Sequence, residues 1–152
     1  MAKPPPDIIA AAKAAQTKFK IPASISLAQW ALESGWGKHD LGCFNYFGMK
    51  APCDAHNKPL VPYIERKTRE VDKFGHDYYI IAPFRKFDSP EQAFEEHGRL
   101  LATKGAYARA RTKLPDADAF ADALTGVYAT DPHYGAALRA IMHGANLYQY
   151  DR

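Results

Sequence analysis

The stretch SISLAQWALESGWG, residues 24–37, decides the fold. Ile25, Ala28 and Leu32 recur in it at helical spacing, which predicts a helix with one apolar face. We expect Trp30, in the middle of this helix, to be part of the hydrophobic core. An apolar helix of this length is typical of the centre of a small globular domain.

Glu33 is the unusual residue of this stretch, because it stands in the last turn of an apolar helix. Gly35 and Gly37 follow it and end the helix, with Trp36 between them. A carboxyl group half-buried beside an indole ring has a raised pKa, which is what acid catalysis near neutral pH needs. The alternative is an ordinary surface glutamate near a helix end.

The segments on either side predict a helix, a loop and a strand pair. Asp7 is expected to cap a first helix that ends at about Phe19. Residues 42–62 are rich in glycine, proline and asparagine, so they indicate a long loop. The β-favouring groups between residues 61 and 87 predict two strands joined by a turn at residues 72–75.

Three further helices are predicted in the C-terminal half. The sequence SPEQ, residues 89–92, matches a capping box and begins a helix to about Leu101. Residues 115–127 and 131–146 predict two more, each opened by an Asp and Pro pair. The fold class is therefore α+β, a mainly helical domain with a small β lobe at about residues 60–87 that forms one wall of a groove.

Composition limits the classes of function. The chain has 152 residues, 47% of them hydrophobic, which fits a single domain over residues 1–152. Its net charge of +3 is dispersed, which argues against a nucleic-acid partner. The N-terminal residues lack a long apolar segment, so neither a signal peptide nor integral membrane association is expected. Cys43 and Cys53 are compatible with a disulfide, two thiols or half a metal site; free thiols are expected.

A metal or other cofactor is not expected. The six histidines are dispersed and form no HExxH or HxxxH pair, which argues against a zinc amidase. The sequence has neither a GxSxG motif nor a Cys/His arrangement in a recognisable context, which argues against an amide-cleaving peptidase, although Cys43 and Cys53 leave that class open.

Several separated segments together resemble glycoside hydrolase family 73, the bacterial and phage β-N-acetylglucosaminidases that act on peptidoglycan. The similarity begins in SLAQWALESGWGKHDLGCFNYFGMKA (26–51) and continues in TREV (68–71), FRKFDSPEQAFEEHGRLL (84–101) and VYATDPHYGAALRAI (127–141). The resemblance implies a lysozyme-like α+β fold. It also implies hydrolysis of the β-1,4 bond after N-acetylglucosamine in the glycan strands of peptidoglycan.

The resemblance also implies roles for two carboxylates. Glu33 matches the catalytic glutamate of the family's ALES pattern and is expected to be the general acid. Glu70 matches the acidic residue of the T-x-E segment and is a candidate base across the groove; its alternative is a surface charge beside Arg69 and Lys73. Instead of Glu70, the 2-acetamido group of the sugar is a possible nucleophile, and Tyr128 or Asp131 would then assist it.

Candidate substrate-binding residues are aromatic or polar, because pyranose rings stack on aromatic faces while their hydroxyl groups form hydrogen bonds. For Phe47, core packing is an equally good interpretation. Asn45 and Phe47 match the family's N-x-x-F-G pattern, and Asn45 is expected to bond an acetamido group. The candidates are Trp36, Asn45, Phe47, Tyr128, Asp131 and Tyr134.

Other functions remain open from the sequence. A muramidase or a lytic transglycosylase would use the same groove on the other glycosidic bond, and a wall-binding module without activity would keep the groove alone. We expect a monomeric phage endolysin, complete in one domain, that is made in the cytoplasm and acts on the bacterial cell wall; the alternative is a catalytic domain cut from a larger protein. The paired Glu33 and Glu70 argue against a pure binding module.

Overall fold

The structure is a computed structural model that describes residues 2–152. Over these residues the chain forms six α-helices and one antiparallel pair of strands, with short 3₁₀ turns at residues 105–107 and 147–150. The elements are α1 (Pro6–Phe19), α2 (Ala23–Ser34), β1 (Tyr63–Val71), β2 (Asp77–Arg85), α3 (Pro90–Thr103), α4 (Ala108–Arg111), α5 (Ala117–Ala123) and α6 (Tyr134–Gly144).

Helix α2 is the centre of the helical body. It packs against α1 and α6, while α1 also packs against α3. Every residue from Ala23 to Ala31 is buried. Trp30 belongs to the core, as predicted. The prediction of one apolar face was wrong, since Leu32 is 39% exposed whereas the polar Gln29 is fully buried.

The strand pair extends from the body as a hairpin. Its register runs from Tyr63 opposite Arg85 to Val71 opposite Asp77. The predicted turn is confirmed, because the Gly75 N–H donates to the Asp72 carbonyl oxygen at 3.0 Å. The hairpin therefore occupies the position predicted for the β lobe.

The loop that follows α2 is fastened to the outer edge of β2. The Ala51 N–H donates to the Pro83 carbonyl oxygen at 2.9 Å, and the Arg85 N–H donates to the Met49 carbonyl oxygen at 2.9 Å. Backbone pairing of this kind fixes the loop relative to the sheet. The segment around residues 49–51 thus connects the end of α2 to the β lobe.

Glu70 shares one face of the hairpin with the buried residues at its base. It stands opposite Tyr78, and the same face carries Ala82 and Phe84. Opposed residues share a face, and side chains two residues apart along a strand do as well. Ala82 and Phe84 are buried at the base of the hairpin, where the loop at residues 49–51 pairs with β2.

Helix boundaries agree with the sequence where a capping residue is present. The Ser89 hydroxyl accepts a hydrogen bond from the Gln92 N–H at 3.1 Å, which confirms the predicted start of α3. Asp116 caps α5 in the same way, but this helix ends at Ala123, before the Val127 predicted. At α1 the N-cap residue is Pro5, and Asp7 lies inside the first turn.

A close contact between α5 and α6 determines where α6 begins. A Cβ atom added at Gly135 would lie 2.7 Å from the Cα of Asp122, which is closer than real Cβ contacts. Glycine is therefore needed at this crossing. The approach places Tyr134, the preceding residue, in the body beside α2.

Two other sequence expectations concern cysteines and membrane spans. Cys43 and Cys53 are unpaired thiols, and Cys53 is exposed. In the part of the chain from residue 2 onward, no helix has the length and apolar character that crossing a bilayer requires.

Candidate active site

Glu33 lines an open cavity on the helical body. The cavity has a volume of about 260 Å³. Helix α2 ends just after Glu33, at Gly35 with a φ of 56°, so the side chain stands where the helix stops and the loop turns away. The rest of the lining is mainly aromatic and apolar and includes Phe47, Met49, Leu100, Tyr107 and Tyr128.

The environment of Glu33 suits an acid. Burial of its carboxyl group by the surrounding protein raises its pKa, and a hydrogen bond from the Tyr134 hydroxyl partly offsets this by lowering the pKa. The residue is nevertheless exposed on its cavity side. The raised pKa favours the protonated form, and the exposed side leaves it accessible to a substrate.

Two tyrosines pack together beside this carboxyl group. The rings of Tyr128 and Tyr134 are stacked, with centroids 5.7 Å apart and planes 12° apart. The Tyr134 hydroxyl donates to Glu33 Oε1 at 3.1 Å. Burial raises the pKa of both phenols, so both stay neutral and keep a proton to donate.

Two buried residues that the sequence analysis missed continue this network. The Gln29 side-chain amide donates from Nε2 to the Tyr134 hydroxyl oxygen at 2.9 Å. Its Oε1 lies 2.7 Å from Nε2 of His97. Burial lowers the pKa of His97 to about 3, so its ring is neutral. The hydrogen bonds thus run from α3 through α2 and α6 to Glu33.

Glu70 is not part of the lining of the Glu33 cavity. Its Oε1 forms an ion pair with the Lys50 ammonium group at 2.7 Å. Lys50 follows Met49, which does line the cavity. The ion pair with Lys50 therefore connects Glu70 to the loop that also carries Met49.

The prediction that Asn45 binds substrate is wrong. Its side chain is fully buried. Its amide nitrogen donates to the backbone carbonyl oxygens of Met49 and Arg85, and its Oδ1 accepts from the Met49 N–H. Both amide protons are used, so none is free for an acetamido group. Asn45 instead positions the loop that carries Phe47 and Met49 to the cavity.

Phe47 and Trp36 differ in their access to the cavity. Phe47 lines it but is only 4% exposed, and its ring stacks on His97 with centroids 4.0 Å apart. Trp36 is partly buried and contacts Trp30 edge to face at 5.8 Å. Trp36 is not among the residues that line this cavity.

Asp131 is exposed and has a local structural contact. Its Oδ1 accepts from the His133 N–H at 2.8 Å, and its carbonyl oxygen accepts from the Tyr134 N–H. It therefore shapes the turn before α6, close to where the sequence predicted a helix cap. Of the C-terminal candidates, Tyr128 lines the cavity and Tyr134 contacts Glu33 directly.

A larger cavity of about 800 Å³ lies between the loop at residues 50–59 and the hairpin. Tyr63, Glu65 and Lys58 contribute to its lining, and Glu33 does not. Across residues 2–152, no group of three or more His, Cys, Asp or Glu side chains is arranged to hold a metal ion. The acid chemistry is therefore assigned to the smaller cavity.

Comparison with known proteins identifies the family. The sequence model described as "Mannosyl-glycoprotein endo-beta-N-acetylglucosaminidase" matches residues 9–147. The catalytic domain of the autolysin Auto from Listeria monocytogenes has a similar structure, with a TM-score of 0.80 and 28% identity over 99% of this chain and 91% of that one. The glycoside hydrolase domain of FlgJ from Salmonella typhimurium, C-terminally truncated, has a TM-score of 0.72 and 31% identity over 92% and 93% of the two chains.

Among curated proteins, the exo-glucosaminidase LytG of Bacillus subtilis is 30% identical over 88% of this chain. The chain spans 48% of the length of that relative, and smaller shares of the next ones. The matches to solved glycoside hydrolase domains confirm the lysozyme-like α+β fold. The chain belongs to the glucosaminidase family of glycoside hydrolases, the family that its motifs predicted.

Proposed function

We propose that this protein cleaves the β-1,4 bond after N-acetylglucosamine in the glycan strands of peptidoglycan, with Glu33 as the general acid. The observation that carries the proposal is a carboxyl group with a raised pKa on the wall of an aromatic cavity. Membership of the glucosaminidase family supports the choice of substrate, as do relatives named as peptidoglycan hydrolases and autolysins.

The first step requires a proton on the leaving oxygen. Protonated Glu33 donates its proton to the glycosidic oxygen as the bond to the anomeric carbon breaks. The partly exposed Tyr128 lines the cavity beside that bond and offers an apolar contact to a sugar ring. Activity falls as pH rises through the raised pKa of Glu33, because the acid must be protonated to act.

We propose Glu70 as the base that activates water on the opposite face of the sugar. Its match to the family's T-x-E segment and its ion pair with Lys50, on the loop that carries Met49 to the cavity, support this role. A base across the groove from the acid leaves room for a water molecule and leads to inversion. The ion pair with Lys50 limits the directions in which the Glu70 carboxylate points.

A second route is favoured by one observation, namely that Tyr128 lines the cavity and Glu70 does not. In this route the carbonyl oxygen of the 2-acetamido group attacks the anomeric carbon while Glu33 protonates the leaving group. Water then opens the cyclic intermediate, with ionised Glu33 accepting its proton. Tyr128 would hold the acetamido group, and the configuration would be retained.

Replacement of the acid tests its role directly. Glu33→Gln is expected to lower turnover of purified peptidoglycan by about 10²–10⁴-fold, the usual contribution of general acid catalysis. Stability should change by less than about 1 kcal/mol, since the residue is exposed and the amide oxygen still accepts from Tyr134. Turbidity loss of cell-wall suspensions and thermal unfolding measure the two effects.

Glu91→Gln is the matched control, because Glu91 is an exposed glutamate on α3 outside the Glu33 cavity. It should turn over peptidoglycan at the wild-type rate. A folded Glu33→Gln protein with the activity of this control would remove Glu33 from the mechanism.

Glu70→Gln distinguishes a base from a structural partner of Lys50. If Glu70 activates water, turnover falls by about 10²-fold or more. Lys50→Met removes the same ion pair but keeps the carboxylate, and an exposed pair contributes only about 0–1 kcal/mol, so its turnover should stay within a few-fold of wild type. If Glu70→Gln also keeps turnover within a few-fold of wild type, as Lys50→Met is expected to do, the acetamide-assisted route is indicated.

The bond that is cut can be read from the products. Purified peptidoglycan is digested, the new ends are reduced with borohydride, and the reduced sugar is identified by mass spectrometry. Reduced glucosamine is the expected result. One relative, 33% identical, is named a probable N-acetylmuramidase, so reduced muramic acid is the result that would reassign the bond. Anhydromuramic ends would indicate a lytic transglycosylase.

The setting in which the protein acts stays a prediction. We propose a monomer that reaches the bacterial cell wall as a phage endolysin. Analytical ultracentrifugation, together with lysis of whole cells compared with isolated walls, addresses both points.

A further inference from the structure

His97, Gln29, Tyr134 and Glu33 are connected by a series of hydrogen bonds, in which each bond has a defined donor and acceptor. We propose that Gln29 and His97 are positioning residues that orient the Tyr134 hydroxyl toward Glu33 and thereby determine which carboxyl oxygen carries the catalytic proton. This inference rests on the proposed role of Glu33 as the acid. Both residues are fully buried, so they reach the reaction only through Tyr134.

The position of the proton on the His97 ring determines which group donates in each of the following hydrogen bonds. The ring Nδ1 is buried and has no hydrogen-bond partner among residues 2–152, while its Nε2 lies 2.7 Å from Gln29 Oε1. A buried N–H without an acceptor is rarer, and more costly, than an unused lone pair. The single proton of the neutral ring therefore sits on Nε2 and is donated to Gln29.

Gln29 transmits this direction to Tyr134. Because its Oε1 accepts from His97, its NH₂ group must point the other way, toward the Tyr134 hydroxyl oxygen at 2.9 Å. That oxygen already accepts a hydrogen bond, so its own proton is free to point to Glu33 Oε1 at 3.1 Å. Each group then donates in the same sense along the chain of hydrogen bonds.

This order of donors and acceptors determines which oxygen of the Glu33 carboxyl group carries the proton. Oε1 accepts from Tyr134, and in a protonated carboxyl group the carbonyl oxygen is a better acceptor than the hydroxyl oxygen. The acid proton is therefore held on Oε2, which has no hydrogen-bond partner among residues 2–152. An acid that presents its proton on one fixed oxygen is preorganised for transfer to the glycosidic oxygen.

The opposite arrangement shows what His97 contributes. If the ring carried its proton on Nδ1, Nε2 would accept and the Gln29 amide would turn over. Tyr134 would then donate to Gln29 Oε1, and Glu33 would lose its donor. This arrangement buries an unpaired N–H at Nδ1, which is unfavourable because that group loses its hydrogen bond to water and gains none in the protein. The histidine environment therefore selects the direction that serves Glu33.

Few other titratable groups act on Glu33. The Tyr134 hydroxyl contacts it from α6, and Tyr128 and Tyr107 line the same cavity; burial raises the pKa of all three phenols, so they are neutral. His97 on α3 is neutral as well. The protonation of Glu33 therefore reports on the hydrogen bond from Tyr134 without interference from a neighbouring charge.

The test is an NMR titration of the Glu33 side chain in protein labelled with ¹³C at the glutamate carboxyl carbons, with Glu33→Gln used for assignment. Tyr134 stabilises the ionised form, so Tyr134→Phe should raise the pKa of Glu33, by roughly 0.5–1 for one hydrogen bond. Gln29→Met should raise it in the same direction by a smaller amount. The double variant should match Tyr134→Phe alone, because Gln29 acts only through that hydroxyl.

The control is Ser24→Ala, which removes a buried hydroxyl of α2 that bonds Asp151 and not Glu33. It should lower stability without changing the pKa of Glu33. If Gln29→Met does not fold, the pair Gln29→Leu with His97→Phe removes both polar partners and leaves no orphaned group. It should show the same rise in pKa.

Two results would overturn the proposal: an unchanged Glu33 pKa in a folded Gln29 variant, or additive effects of Gln29→Met and Tyr134→Phe. The titration needs no substrate, so its result tests the positioning role even if the protein does not cleave peptidoglycan. Where turnover is measurable, the basic limb of the kcat profile should move to higher pH by the same amount, with little change in KM. If the substitution only disturbed the structure, kcat would fall but the pH of the basic limb would not change.

Discussion

The burial of α2 on nearly all sides is the constraint from which the site follows. A helix at the centre of a small domain has no water to satisfy its polar side chains, so a buried Gln29 must find partners on the neighbouring helices. It finds them in His97 and Tyr134. The same helix ends at a left-handed Gly35, which brings Glu33 out of the body at the end of this network. The core thus determines how the acid is held.

The local part of this arrangement could be predicted from the sequence. An apolar helix followed by paired glycines places Glu33 at a helix end, and SPEQ at residues 89–92 gives the start of α3. These features depend on neighbours along the chain. The burial of His97 could also have been predicted, since it recurs with Phe94 and Leu101 at helical spacing on the buried face of α3. A histidine on such a face indicates a buried, neutral ring that needs a partner.

Long-range contacts are what the sequence could not provide. Asn45 carried a family motif and a polar side chain, yet its partners are the backbone of Met49 and of Arg85, forty residues away. The position of Glu70 likewise depends on how the hairpin lies over the body, and its contact with Lys50 spans twenty residues. Pairing of this kind follows from tertiary packing, which residue patterns within one segment do not determine.

The proposed mechanism requires the scissile bond to lie in the cavity of about 260 Å³ beside Glu33. A crystal structure of the Glu33→Gln protein with a peptidoglycan glycan fragment tests it most directly. We expect the glycosidic oxygen within about 3 Å of the side chain at position 33, with a sugar ring against Tyr128. A fragment bound in the cavity of about 800 Å³ along the hairpin, with its glycosidic oxygens out of reach of position 33, would contradict the account.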